Sequence, residues 1–146
     1  MRRHWWKIND IYDTEGITEK YKQVSNEDGM NKYIAYADKD FNGLAYINLV
    51  DFDALYGHRR NPIGYKKALE EFDVQLGQLM AKMGDDDLIM VTADHGNDPT
   101  FPGSDHTREY VPLLIYGTKL KGGKIDIRES FADIGATISD IFKVQK

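Results

Sequence analysis

Asp94, His95 and His106 are metal-ligating side chains carried on two adjoining blocks, Thr92-Ala93-Asp94-His95-Gly96-Asn97-Asp98 and Ser104-Asp105-His106-Thr107-Arg108-Glu109. The first block follows directly on Leu88-Ile89-Met90-Val91, an apolar run that reads as a buried strand. Its ligands therefore start at a strand's carboxyl end, where open α/β sheets place their active sites. A second strand-like run, Leu44-Ala45-Tyr46-Ile47-Asn48-Leu49-Val50, leads into Asp51-Phe52-Asp53-Ala54-Leu55-Tyr56-Gly57-His58-Arg59-Arg60. In a parallel sheet both carboxyl ends share one edge, so Asp53, His58, Asp94, His95 and His106 are able to converge. Three imidazoles and two carboxylates make one complete oxygen/nitrogen site and half of another. Imidazole mixed with carboxylate suits Mn²⁺, Zn²⁺ or Fe²⁺ better than Ca²⁺. Two such ions a few ångströms apart hold both the attacking and the leaving oxygen of a phosphoryl displacement.

An isolated Asp-His dipeptide is more often a capped turn than a ligand pair. The case for metal rests on three of the four histidines lying beside acids at strand ends, with His4 outside the pattern and inert. Asp51 competes with Asp53, and strand alternation does not choose between them. The acidic run Asp85-Asp86-Asp87 follows a helix-ending glycine and reads as solvated turn. Asp98 and Asp105 read as turn residues or as supports of the ligands. Arg59, Arg60 and Arg108 either bind phosphate or balance the acids around them.

To place these ligands the chain needs strands that end beside them and helices that cover the strands. The polar stretch from Ile17 to Asp28 reads as loop with some helix, and Met30, Tyr33, Ile34, Ala37 and Phe41 recur at helical spacing. Asn61-Pro62 opens a long helix, with Asn61 as its cap and Pro62 in its first turn. Tyr65, Leu69, Phe72, Leu76, Leu79 and Met83 mark one face of that helix, and Gly84 stops it. After the strand 88–91 and the ligand-rich loop, a third strand spans 111–116. A polar turn at 121–124 then leads to a final helix whose face carries Phe131, Ile134, Ile138 and Phe142. This order predicts an α/β fold with a mostly parallel sheet flanked by helices, too few strands for a complete doubly wound domain.

Composition excludes several partners. The 146 residues carry a net charge of −5, and their basic residues are scattered apart from Arg2-Arg3 and Arg59-Arg60. No basic stripe points to nucleic acid. No apolar stretch approaches the roughly 18 residues of a membrane span, and Met1-Arg2-Arg3-His4-Trp5-Trp6 lacks the apolar core of a signal peptide. With no cysteine, any metal is held by His, carboxylate and hydroxyl groups, and a cytoplasmic location is expected.

The ligand blocks resemble those of the phosphopentomutases, a family of the alkaline phosphatase superfamily. The resemblance is carried by Asn48-Leu49-Val50-Asp51-Phe52-Asp53-Ala54-Leu55-Tyr56-Gly57-His58-Arg59-Arg60, by the block 92–98, and by Asp105-His106-Thr107-Arg108-Glu109. Arg128-Glu129-Ser130-Phe131-Ala132-Asp133-Ile134-Gly135 fits the family's last helix. A related family, the cofactor-independent phosphoglycerate mutases, shares the Thr-Ala-Asp-His-Gly-Asn block. It spaces its upstream Asp and His by four, whereas His58 follows Asp53 by five, and it lacks the Arg-Glu found here after His106-Thr107.

The resemblance implies interconversion of ribose 1-phosphate, or its 2-deoxy form, with the 5-phosphate at a pair of Mn²⁺ ions. Carried over position by position, Asp53, His58 and His106 hold the first ion, which gives one complete three-residue ligand set. Asp94 and His95 belong to the second ion, whose set is incomplete. The family's phosphorylated threonine, which bridges the metals, has no match, because Thr92, Thr100 and Thr107 lie in blocks where that nucleophile does not sit. The family's first-strand Asp and its cap domain have no match either. Lys7-Ile8-Asn9-Asp10-Ile11 resembles the segment after the cap, which makes Lys7 a candidate substrate contact.

Residues 7–146 are thus expected to form the C-terminal part of the metal-binding core, without the N-terminal strand and the cap, and residues 1–6 an unrelated or disordered start. The chain alone is then expected to bind one Mn²⁺ or Zn²⁺ weakly at Asp53, His58 and His106 and to lack mutase activity, pentose phosphate being the substrate of the intact enzyme. It is also expected to self-associate through its exposed sheet edge. Two other functions fit the same residues: a non-catalytic half-enzyme that needs an N-terminal partner, and a metal-dependent phosphatase or phosphoglycerate mutase relative.

Overall fold

The first described helix begins where the sequence supplies a cap. The structure, a computed structural model, describes residues 15–144, so the expectations for residues 1–6 and Lys7 lie outside it. Helix α1 (Asn26–Tyr36) is capped by Ser25, whose hydroxyl accepts from the Asp28 amide at 3.1 Å. Glu27 and Asp28 in its first turn favour the positive end of the helix dipole. The helix starts earlier than its apolar spacing predicts and ends at Tyr36, so Phe41 lies beyond it and packs back on Tyr36 at 4.9 Å between rings.

Helix α2 (Pro62–Met80) has Pro62 in its first turn and Asn61 as cap, the Asn61 side chain accepting from the Gly64 amide at 2.9 Å. It packs against α1, and among the described residues the buried apolar side chains, Met30, Ala68 and Leu79, lie on these two helices. The buried stripe includes Ala68, whereas Leu69, expected on the core face, is 47% exposed.

The run 44–50 forms no ladder among the described residues, and Leu44 and Tyr46 are exposed. Side-chain contacts anchor this run to α1. Tyr33 donates its hydroxyl to the Ala45 carbonyl at 2.9 Å. Asn26 and Asp51 then exchange two hydrogen bonds, Asn26 N to Asp51 Oδ2 at 2.7 Å and Asp51 N to Asn26 Oδ1 at 3.0 Å. These tie the run to α1 and deliver the chain to a π-helical turn, Phe52–Gly57. Phe52 fixes that turn to α2 through Tyr65 and Phe72, at ring separations of 5.6 and 6.1 Å.

Strands β1 (Ile89–Thr92) and β2 (Leu113–Tyr116) pair antiparallel in the register Ile89↔Tyr116 to Thr92↔Leu113. The order of elements predicts a mostly parallel sheet; the ladder among the described residues is this antiparallel pair. The link between its strands carries no helix, and a parallel connection needs a crossover that is usually helical. Both strands are half-buried to exposed rather than fully buried. An isolated bridge between Gly96 and Thr107 extends the pairing toward the ligand-rich loop. The last helix, α3 (Ala132–Ile141), follows the predicted apolar spacing but buries no residue. No helix is long and apolar enough to cross a membrane among the described residues.

Candidate metal centre

Asp53 and His58 bracket the π-helical turn. In an α-helix two residues five apart point about 140° away from each other. The π-turn removes that offset by closing its bond one residue later, with His58 N donating to Asp53 O at 2.9 Å. Both side chains then come to one side. Single π-turns of this kind are frequent at functional sites.

His106 arrives from a segment far away in sequence, at the end of the loop that leaves the Gly96–Thr107 bridge. His58 Nε2 stands 3.4 Å from Asp53 Oδ2, and His106 Nε2 stands 3.4 Å from Asp53 Oδ1. One ligand atom from each of the three residues lies within 4.8 Å of the others. Separations of 3.4 Å exceed a hydrogen bond. They match the roughly 3.4 Å edge between donors of a tetrahedral ion with bonds of about 2.1 Å. Two imidazoles and one carboxylate of this spacing fit a divalent transition ion, with positions left for water or substrate.

Supporting contacts aim these ligands. His58 Nδ1 lies 2.6 Å from the Ser104 carbonyl, which only accepts, so Nδ1 carries the proton and Nε2 faces Asp53. Asn97 donates from Nδ2 to Asp53 Oδ1 at 2.7 Å. Thr107 accepts from the Asp98 amide and donates to Glu109 Oε2, both at 2.6 Å, which fixes the backbone beside His106. Burial, then the charges of Asp53 and Glu109, raises the pKa of Tyr65 and keeps its phenol neutral beside the site.

Asp94 and His95 stand apart from the three-residue group. The Asp94 side chain is 86% exposed and its carboxylate meets its own neighbour, His95 Nε2, at 3.7 Å. The His95 ring lies beside that of His106, 4.0 Å between centroids, which brings the half-set next to the triad without joining it. Asp51, the rival of Asp53, is held by Asn26 and stands outside the triad. Asp98 caps a turn, accepting from the Thr100 amide and hydroxyl, and these bonds with the nearby Arg60 charge lower its pKa. The 85–87 run behaves as a turn, with Asp87 accepting from the Gly84 amide and Lys119 beside Asp85 and Asp86.

Arg60 and Asn97 are the supports that the sequence did not single out for these roles. From its sequence Arg60 reads as a phosphate binder or a balance to the acids, and in the structure it binds backbone carbonyls of the 97–105 loop. Its neighbour Arg59 is exposed and has no hydrogen bond or ion pair among the described residues, a difference that adjacent arginines conceal in a sequence. Asn97 sits inside the Thr-Ala-Asp-His-Gly-Asn block, and that position was the available signal. Compared with known families, residues 7–146 match the model of the metalloenzyme superfamily.

Proposed function

The chain belongs to the metalloenzyme superfamily, and from that premise we propose that it is the metal-binding part of a phosphopentomutase-type phosphotransferase. In this proposal Asp53, His58 and His106 hold the first ion, and Asp94 and His95 belong to a second whose remaining ligands come from outside these residues. The observation that carries it is the convergence of the first three from two segments far apart in sequence, within 4.8 Å. Mn²⁺ is the proposed ion, and a bound divalent ion would stabilise negative charge on a transferring phosphoryl group.

Two features favour the phosphopentomutase type over the phosphoglycerate mutase type. The Asp53–His58 spacing of five is matched here to a π-turn, whereas a spacing of four suits an ordinary α-turn. The Arg108-Glu109 pair after His106-Thr107 is the second, and Glu109 takes part in the site's hydrogen bonding through Thr107.

Within the proposal each residue has a task. Asp53 supplies the negative charge of the first ligand set, and His58 and His106 supply neutral nitrogens that limit its total charge. Arg59 and Arg108, exposed beside the histidines, are available to a phosphate. Thr92, Thr100 and Thr107 are engaged in local hydrogen bonds, so none is assigned as nucleophile. By the resemblance, no threonine of this sequence matches the family's nucleophile, so pentose phosphate activity would need one supplied from outside these 146 residues.

Calorimetric titration of the metal-free protein with Mn²⁺ and Zn²⁺ tests the first half. One site should appear, and His58→Ala should abolish it. For the second half, the purified, metal-loaded chain should not convert ribose 1-phosphate to ribose 5-phosphate. Measurable turnover by the chain alone would refute that half and leave the metal assignment standing.

A further inference from the structure

Arg60 adopts a left-handed backbone conformation, φ 49°, which a residue with a β-carbon disfavours. Such outliers persist where surrounding contacts hold them, and they cluster at functional sites. Here the contacts belong to the guanidinium. Its Nε donates to the Gly103 carbonyl. Nη1 donates to the carbonyls of Gly57 at 3.2 Å and Asp98 at 2.7 Å, and to Asn97 Oδ1 at 2.8 Å. Nη2 donates to the Asp105 carbonyl at 2.5 Å. No carboxylate oxygen is paired with it among the described residues, although Asp98 and Asp105 are adjacent to it in space through their backbones.

The partners divide between two segments. Gly57 ends the π-turn that carries Asp53 and His58, while Asn97, Asp98, Gly103 and Asp105 lie on the loop that leads to His106. The guanidinium is therefore a cross-link between the two halves of the ligand set. It also reaches one ligand directly through a relay, from Nη1 to Asn97 Oδ1 and from Asn97 Nδ2 to Asp53 Oδ1. Because the Asn97 oxygen is occupied by Arg60, its NH₂ group must face the carboxylate. We propose that Arg60 is a positioning residue for the Asp53–His58–His106 centre, holding the loop of His106 against the π-turn and orienting Asp53 through Asn97.

This inference rests on the metal reading of that centre. A planar fork that satisfies several carbonyls at once is specific to Arg, and Lys offers a point charge with a shorter reach. A salt bridge would be indifferent to that exchange, whereas a carbonyl clamp is not.

The test measures Mn²⁺ affinity of metal-free protein by titration calorimetry, with folding of each variant checked by circular dichroism. Arg60→Met should weaken binding by about 10–100-fold, the range for residues that orient ligands, with Arg60→Lys in between. Asn97→Ala should weaken it similarly, and the double variant should lose less than the product of the two single losses. Arg60→Gly relieves the backbone strain while deleting the side chain, so it should fold and still bind weakly. Arg60→Met or Arg60→Gly binding Mn²⁺ as tightly as the unsubstituted chain would overturn the proposal. Should both fail to fold, Asn97→Ala decides, since it keeps every Arg60–carbonyl bond: weakened binding supports the relay and unchanged binding overturns it. His58→Ala separates the two levels. If it binds Mn²⁺ normally, the metal centre itself is wrong; if it does not and Arg60→Met does, only the role of Arg60 falls.

Discussion

His58 points its Nδ1 at the carbonyl oxygen of Ser104, 2.6 Å away. That oxygen has no proton to give, so the bond selects the tautomer protonated at Nδ1 and leaves the Nε2 lone pair facing Asp53. Long-range ¹H–¹⁵N correlation spectra should show His58 in this tautomer before any metal is added. On titration with Zn²⁺, the Nε2 resonance should move and the Nδ1 resonance should keep its protonated character. Protonation at Nε2 in the metal-free chain would contradict the site's preorganisation.

Gly57 has no room for a side chain. A β-carbon there would stand 2.5 Å from Asn97 Nδ2 and 2.8 Å from Asn97 Cγ, and it would press on the group that orients Asp53. Gly57→Ala should therefore lower divalent-ion affinity by about 10-fold or more, the scale set by loss of a supporting contact. Because the neighbour is a side chain, the fold should survive, and a thermal melt should register a smaller change than the titration does.

Asp94 is the counter-case. Its carboxylate is largely in solvent and belongs to no three-residue group. Asp94→Ala should leave both the stoichiometry and the affinity of the first Mn²⁺ within about twofold, as for an exposed residue outside the three-residue ligand group. A loss of the first ion in this variant would move Asp94 into the primary ligand set.

Tyr33 gives the fold an alkaline limit. Its hydroxyl donates to Ala45, and burial raises its pKa, so the folded state favours the neutral phenol. Stability from this group is present below the unfolded value of about 10 and is lost as pH rises through the higher folded value. Tyr33→Phe should cost about 1 kcal/mol near neutral pH. It should also lose less stability than the unsubstituted chain between neutral and strongly alkaline pH, read from urea unfolding at each pH.

Local signals were legible in the sequence where local forces decide the outcome. Asn61-Pro62 starts α2, the apolar steps from Phe131 follow α3, and β1 and β2 fall on the apolar runs before and after the ligand loop. The five candidate ligands were readable from residue type and spacing, whereas their division into Asp53, His58 and His106 on one side and Asp94 and His95 on the other came from the family resemblance; the first three do lie together. Strand pairing was not readable. The run 44–50 has the composition of a strand, but strand identity depends on a neighbour distant in sequence, and no ladder includes this run among the described residues. The π-turn was hidden for a similar reason, since its shifted hydrogen bond is a backbone choice that Phe52-Asp53-Ala54-Leu55-Tyr56-Gly57 does not announce. Arg60 was invisible as a clamp because its acceptors are carbonyls, which every residue possesses.

The helical pair with its π-turn and the antiparallel hairpin each pack mainly within themselves. Asp53 lies on the first and His106 on the second, with roughly fifty residues of chain between them. An ion shared by these two residues would close that loop as a clip does, and the entropy of closing a loop grows only slowly with its length. Occupancy would then be felt as cooperativity: the two halves, joined in the metal-free chain by the Arg60 clamp and a few hydrogen bonds, would be coupled more tightly and unfold together. Amide hydrogen exchange should show this as protection that spreads from the ligands into both halves at once.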